Sequence, residues 1–286
     1  MAILFALIAL VGWGVGDIFI AIVSRKIGNR VAFFLWLFFS FLVSLIYLPF
    51  AGPFPNLNFF LLAYGMNVFV SVGTLAYFKA LEIGNASLVG TIAGSFPLIT
   101  VPLSIVLFHE QLNNIQLVGI VLILIGLILA SLKEEAIREI QTGKIFSDKG
   151  VLYSLIILVT WGIYWSIIRV PIEQIGWYYT GLSGWMVFIL IPLLGLIKKN
   201  PFTELKKRNV LLNVILMSTL LPIGSYAFNI GITLGYSSIV APIAGLSPVL
   251  FVIIAHFVFK EALSRRQLAG IVISLLGIAL ISFIPT

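Results

Sequence analysis

The sequence predicts an all-α polytopic membrane protein, with ten transmembrane helices arranged as two inverted five-helix repeats. Three observations predict it. The 286 residues are 61% hydrophobic and only 9% charged, where a soluble domain carries roughly 25% charged residues. Apolar runs of about 20 residues recur along the whole chain, each enough to cross about 30 Å of hydrocarbon, and the mean hydropathy is +1.17. Finally, residues 73–131 recur as residues 224–282 without a gap, and more than a third of the paired positions are identical. Self-similarity at this length means one structural unit built twice.

The spans follow in order. Ala2 to Ser24 is an apolar run with no basic segment before it and no small-residue cleavage site, so it reads as a retained span and not a signal peptide. Further spans lie near 31–50, 58–81, 86–108 and 114–132, completing a first repeat over 1–132. Residues 133–149 form a charged linker with a short amphipathic stretch. The second repeat, 150–286, holds spans near 150–170, 175–197, 209–234, 237–259 and 266–284. The clearest repeated block is Ile92-Ala93-Gly94-Ser95-Phe96-Pro97 against Ile243-Ala244-Gly245-Leu246-Ser247-Pro248. Phe108-His109-Glu110-Gln111-Leu112 with Gln116-Leu117-Val118-Gly119 returns as Phe259-Lys260-Glu261-Ala262-Leu263 with Gln267-Leu268-Ala269-Gly270. Trp13-Gly14 matches Trp161-Gly162 and carries the repeat back to each first span.

Charge placement sets the orientation. Taking alternate connections, all of the 17 Lys and Arg except Arg169 fall on one side. The positive-inside rule makes that side cytoplasmic and puts both termini outside. The net charge of +7 therefore concerns the membrane and gives no reason to expect nucleic acid. Equivalent loops carry opposite bias. Ser24 to Arg30 is basic, while its counterpart around Arg169 and Glu173 is nearly neutral. Ala51 to Asn58 is uncharged, while Lys198 to Arg208 is strongly basic. Five is an odd number of crossings, so successive copies lie inverted, a recurrent architecture among transporters.

The sequence has no cysteine, and its two histidines, His109 and His256, lie in separate segments. No phosphate-binding loop, zinc-protease or serine-nucleophile motif is present. No metal, cofactor or enzymatic activity is expected.

Asp17 is the most informative single residue. A carboxylate inside a span is costly unless it is paired, hydrated or protonated, and such residues are functional by default. Trp13 lies one turn earlier on its face. The repeat partner of Asp17 is Trp165, which shares a face with Trp161 and Tyr164. These residues are expected to face a common cavity, where Asp17 holds a substrate amine or a coupling proton and the rings stack on the organic part. The alternative is that Asp17 pairs with Arg25 or Lys26 near the inner surface. His256 is a second proton-coupling candidate, set against the commoner neutral core histidine.

Polar stripes mark each third span: Asn67, Ser71 and Thr74 in one half, and Tyr226, Asn229 and Thr233 in the other. They line the cavity or bond between helices. Ser95 and Ser247, beside the repeated prolines, are further substrate-contact candidates. Pro97 and Pro248 interrupt helical bonding and are candidate hinges. Gly12-x-x-x-Gly16, Gly90-x-x-x-Gly94 and Ala241-x-x-x-Gly245 are strips for close helix packing, within the chain or in a dimer. Glu110 and Glu261 sit in hairpins, where each is expected to cap the helix that follows.

Two five-helix halves, Trp-Gly in each first helix, Ala-Gly-x-x-Pro in each fourth and Phe-x-Glu-x-Leu before Gln-Leu-x-Gly together resemble the EamA-type members of the drug/metabolite transporter superfamily. The resemblance implies a ten-helix transporter of small organic solutes, often an exporter. It also implies a central cavity lined mainly by the first, third and fourth helices of each half. The resulting expectation is a secondary transporter of amino acids, amines or drug-like compounds, working by alternating access in the inner or plasma membrane as a monomer or homodimer. Its partners are a small-molecule substrate and the lipid bilayer. Alternatives are a passive facilitator and a flippase for a lipid-linked metabolite.

Overall fold

The computed structural model describes residues 1–131, 149–197, 200–259 and 263–282, with the backbone alone over 255–259. The expected linker before Lys149, Glu261 and the His256 side chain lie outside the described residues. No strand occurs among those described.

Helix α1 (Ala2–Ile27) carries Arg25 and Lys26 in its last turn, where cations suit the negative end of the helix. It stops at Gly28, whose φ of 84° is a conformation that favours glycine. Helix α2 (Asn29–Ser44) passes into a 3-10 turn over Leu45–Phe50. Helix α3 (Leu57–Ile83) starts at Asn56, whose side chain accepts from the Asn58 amide. The fourth span comes as two half-helices, α4 (Ala86–Gly94) and α5 (Pro97–Phe108), followed by α6 (Asn114–Ser131). The second half runs α7 (Lys149–Ile167), α8 (Arg169–Trp185), a 3-10 turn over Met186–Ile189 and α9 (Leu190–Leu193). It continues with α10 (Arg208–Leu234), α11 (Ser237–Ala244), α12 (Ser247–Phe259) and α13 (Arg265–Ser282).

Nine stretches among the described residues are long and apolar enough to cross a membrane. The segment expected near 175–197 is the one not among them. Gly176 at φ 76° redirects α8 near its start, and the 3-10 turn at Met186 breaks the run again. Large apolar side chains such as Val118, Val121, Leu268 and Leu275 are exposed on outer helix faces. Exposed apolar faces of that extent fit a membrane surface.

Each fourth span is expected to kink at its proline. The structure shows a kink at which α-helical bonding gives way to a tighter turn, with Phe96 and Gly245 still in right-handed helical backbone. Pro97 stands at the first position of α5, where a missing N–H costs nothing. The backbone crosses the kink through short-range bonds, Phe96 N to Ala93 O at 3.1 Å and Leu98 N to Ser95 O at 3.0 Å. The other half repeats this with Leu246 N to Ile243 O at 3.2 Å and Val249 N to Leu246 O at 2.9 Å. The two kinks touch: a Cβ on Gly94 would lie 2.7 Å from the Gly245 carbonyl, and one on Gly245 2.8 Å from the Gly94 carbonyl.

The halves interlock through matching pairs of helices. α1 packs along α10, and its counterpart α7 packs along α3. α1 also meets α11 and α12, as α7 meets α4 and α5, and α6 pairs with α13. The α1–α10 seam closes to backbone contact, since a Cβ on Gly12 would lie 2.8 Å from Gly224 Cα. The small-residue strips are thus consumed inside the chain. The glycines of Gln-Leu-x-Gly pack α6 on α13, with a Cβ on Gly119 falling 3.0 Å from Gly277 O. The glutamines cap. Gln116 and Asn113 each accept from the other's amide, at 3.0 and 2.9 Å, and Ser264 with Gln267 does the same at 3.0 and 3.2 Å. That reciprocal bonding satisfies two otherwise orphaned helix amides.

Candidate substrate cavity

Two cavities meet at one carboxylate. The first, of about 90 Å³, lies among α1, α2, α3, α7, α8 and α10. It is lined by Trp13, Asp17, Asn67, Ser71, Thr74, Trp161, Tyr164, Trp165 and Asn229 from the expected set. All of the chain's 6 tryptophans except Trp177 line it. The second, of about 250 Å³, opens between α1, α3, α4 and α12, and Asp17, Arg25, Tyr77, Ser87, Ser247, Pro248 and Phe251 stand around it. Asp17 and Tyr77 belong to both.

The Tyr77 hydroxyl donates to Asp17 Oδ2 at 3.0 Å, and Tyr77 is itself buried. Arg25 does not reach Asp17. Its guanidinium donates to the Leu81 and Gly84 carbonyls at 3.0 and 3.2 Å, closing the end of α3. Asp17 is the one charged side chain among the residues that line the first cavity. A carboxylate in such a place seeks a cationic partner or a proton.

The aromatic wall is held edge and face. Trp13 lies 5.2 Å from Trp165 and 5.1 Å from Phe228, and Tyr77 lies 5.3 Å from Trp161. Hydrogen bonds across the repeat boundary fix the rings. Trp161 Nε1 donates to Thr74 at 3.2 Å, Trp13 Nε1 to Ser225 at 3.2 Å, and the Tyr164 hydroxyl to Asn67 Oδ1 at 2.7 Å. The Asn67 amide donates in turn to Ala63 O, Thr180 O and Ser183 Oγ. The polar stripe of α3 thus both lines the cavity and ties the halves together.

Four expected residues stand elsewhere, among them Thr233, which is exposed and donates to Asn229 O of its own helix at 3.0 Å. Tyr226 lies one layer out, accepting from Trp185 Nε1 at 3.0 Å and stacking on Tyr178. Ser95 bonds back to Thr91 O at 2.7 Å, a bond within its own helix turn, and lines neither cavity. Pro97 packs on Gly245, whereas Pro248 lines the second cavity. Sequence reasoning missed Tyr77, Trp36 and Trp185. Tyr77 extends the Asn67-Ser71-Thr74 stripe by one turn, which is a readable signal. Trp36 and Trp185 sit at near-equivalent places in the two second spans and meet at 5.4 Å.

Glu110 also departs from expectation. It does not cap α6, which Asn113 and Gln116 cap. It caps α11 of the other half instead, accepting from the Ser237 and Ser238 amides at 2.8 and 3.0 Å.

Interlocked, interrupted helices around an internal cavity, with apolar side chains on their outer faces, define a multi-pass membrane protein. The chain belongs to the EamA-like transporter family, whose sequence model matches residues 1–132 and 148–283. That family lies within the drug/metabolite transporter superfamily and is one of transporters, not of enzymes. An uncharacterized protein of Methanocaldococcus jannaschii is 35% identical over 136 residues, which span 46% of this chain and 96% of that protein. That relative is about as long as one half. A solved structure described only as the crystal structure of a protein matches with a TM-score of 0.75 and 16% identity, covering 99% of this chain and 96% of its own. That likeness shows a shared fold.

Proposed function

We propose that this protein is a secondary transporter, and most readily an exporter, of small organic metabolites bearing an amine or aromatic group. It works by alternating access across the inner or plasma membrane. The observation that carries the reading is Asp17, a half-buried acid shared by two cavities and faced by tryptophans. Trp13, Trp161, Trp165 and Tyr164 supply stacking faces, and Asn67, Ser71, Thr74 and Asn229 supply polar contacts. The chamber's volume of about 90 Å³ is small beside ligand pockets of roughly 300–1,000 Å³, so it must widen to load.

In this reading the chain crosses the membrane ten times, with the broken segment from Arg169 to Leu193 as the remaining crossing. The two halves are inverted copies, and both termini face outward. Support comes from loops that meet. Glu110, Arg169 and Ser237 join at one end, and Arg25 with the Gly84 turn at the other. Alternate counting groups them the same way. One chain holds a complete site, so a monomer suffices.

Thermal stability against a panel of amines, amino acids, sugars and nucleosides tests this. A ligand that binds the folded state raises the midpoint by mass action. An amine-bearing compound is expected to raise it in wild type and not in Asp17→Asn. A shift from a neutral sugar retained in Asp17→Asn would remove Asp17 from recognition. No shift from any soluble compound would favour a lipid-linked cargo.

A further inference from the structure

Glu110 follows the end of α5, and its side chain is wholly buried at 0% exposure. Its two oxygens accept from the Ser237 and Ser238 amides at the first turn of α11. Oε1 also meets Arg169 Nη1 at 3.3 Å, and Arg169 reaches Glu173 at 2.7 Å while lying 5.4 Å over the Phe108 ring. One carboxylate therefore joins α5 of the first half to α8 and α11 of the second. The negative charge sits on the positive end of α11, which strengthens each bond.

The opposite end, where Glu261 lies outside the described residues, carries a local cap. There Asn85 caps its own half-helix, accepting from the Ser87 and Leu88 amides at 3.0 and 3.4 Å. Tyr77, Leu81, Ser87 and Gly90 line the cavity of about 250 Å³. Their repeat counterparts on the Glu110 side are Phe228, Ile232, Ser238 and Ala241. Phe228, Ser238 and Ala241 are 0% exposed and Ile232 is 1% exposed. Equivalent positions thus border a cavity on the Arg25 side and form packed core on the other. Thr100, the counterpart of Phe251 in the cavity wall, is 0% exposed and donates to Gly162 O at 3.0 Å.

We propose that Glu110, with Arg169, is the latch that closes the solute path on the side opposite Arg25, and that this conformation is the one open toward Arg25. The proposal rests on the alternating-access reading. Opening the far side requires α11 to leave α5, which strips the Glu110 carboxylate of two backbone donors. A buried carboxylate is not left unbonded, so the latch releases only as water enters to replace those amides. Latch release and outward hydration become one event.

The chain has no cysteine, so single-cysteine reporters are clean. Ser238→Cys lies beneath the latch, and Ser87→Cys, its repeat counterpart, lines the cavity on the Arg25 side. Purified full-length protein in lipid nanodiscs is reacted with a water-soluble maleimide. Ser87→Cys is expected to react quickly and Ser238→Cys slowly. Adding Glu110→Gln is expected to speed Ser238→Cys by about tenfold, as when a charge-assisted bond becomes a neutral one, and to slow Ser87→Cys. Arg169→Gln keeps the cap and should give a smaller shift the same way. It also serves if Glu110→Gln yields no folded protein. Equal, finite Ser238→Cys rates with and without these substitutions overturn the latch alone. Acceleration of both cysteines together also overturns it, because it shows a loosened fold. No reaction at Ser238→Cys in any of the proteins removes the second opening, and the alternating-access reading falls with the latch.

Discussion

The Asp17–Tyr77 pair places a hydroxyl from α3 on the only acid of the central chamber, at the point where both cavities converge. A hydrogen bond to a charged group stabilises by roughly 1.5–3 kcal/mol, and its loss leaves a half-buried acceptor short of a partner. Tyr77→Phe is therefore expected to lower the ligand-free melting midpoint, while the same change in an Asp17→Asn background costs clearly less. A double-mutant cycle with a coupling of about 1–2 kcal/mol would match the geometry; additive effects would mean that the contact carries no energy. Asp17 was legible from sequence because a carboxylate in an apolar run stands out by its cost, and Trp161 and Trp165 through the repeat. Tyr77 was not singled out, because its counterpart Phe228 has no hydroxyl and which tyrosine reaches Asp17 is decided by how α1 and α3 cross. Tyr226 and Ser95 show the converse. Their helical spacing puts them on the right faces, yet Tyr226 is drawn off by Trp185 and Ser95 by its own Thr91 carbonyl.

At the scale of elements, the kinked fourth spans are where the two halves touch most closely. Repeated Ala-Gly-x-x-Pro made an interruption legible. The kink falls where it does because proline is best placed at the start of a helical segment, and the glycines before it let the two kinks touch. Gly94→Ala puts a methyl 2.7 Å from Gly245 O and 2.9 Å from Pro248 Cγ. Overpacking of this kind costs about 1–3 kcal/mol, so the melting midpoint should fall. Gly65→Ala, with nothing within 4 Å of the new methyl, is the matched control and should be neutral or gain up to about 1 kcal/mol in mid-helix. Equal midpoints for the two variants would show that the kinks slide apart freely. Glu110 illustrates what sequence spacing hides. A glutamate before a helix reads as a local cap, but Asn113 and Gln116 already satisfy that helix. The carboxylate goes instead to the half-helix brought beside it by the other repeat.

Across the whole molecule, neither half has a core of its own. α1 lies against α10 at backbone contact and α7 against α3, so each first helix is completed by the other half's third. The bonds that hold the chamber wall, Trp13 to Ser225, Trp161 to Thr74 and Tyr164 to Asn67, all cross between halves. The relative that matches 136 residues at 35% identity is about one repeat long, which makes the boundary between the halves a natural place to cut. A chain cut between Ile140 and Gln141 should therefore reassemble when both pieces are co-expressed, because the joining contacts lie in the helix interfaces. The tagged first piece is expected to co-purify with the second and to recover the ligand-induced rise in melting midpoint, while neither piece alone shows that rise. A first piece that binds ligand by itself would mean that two copies of one half build the chamber. Trp165, Tyr164 and Asn229 would then be dispensable, and the site would belong to the repeat and not to the pair.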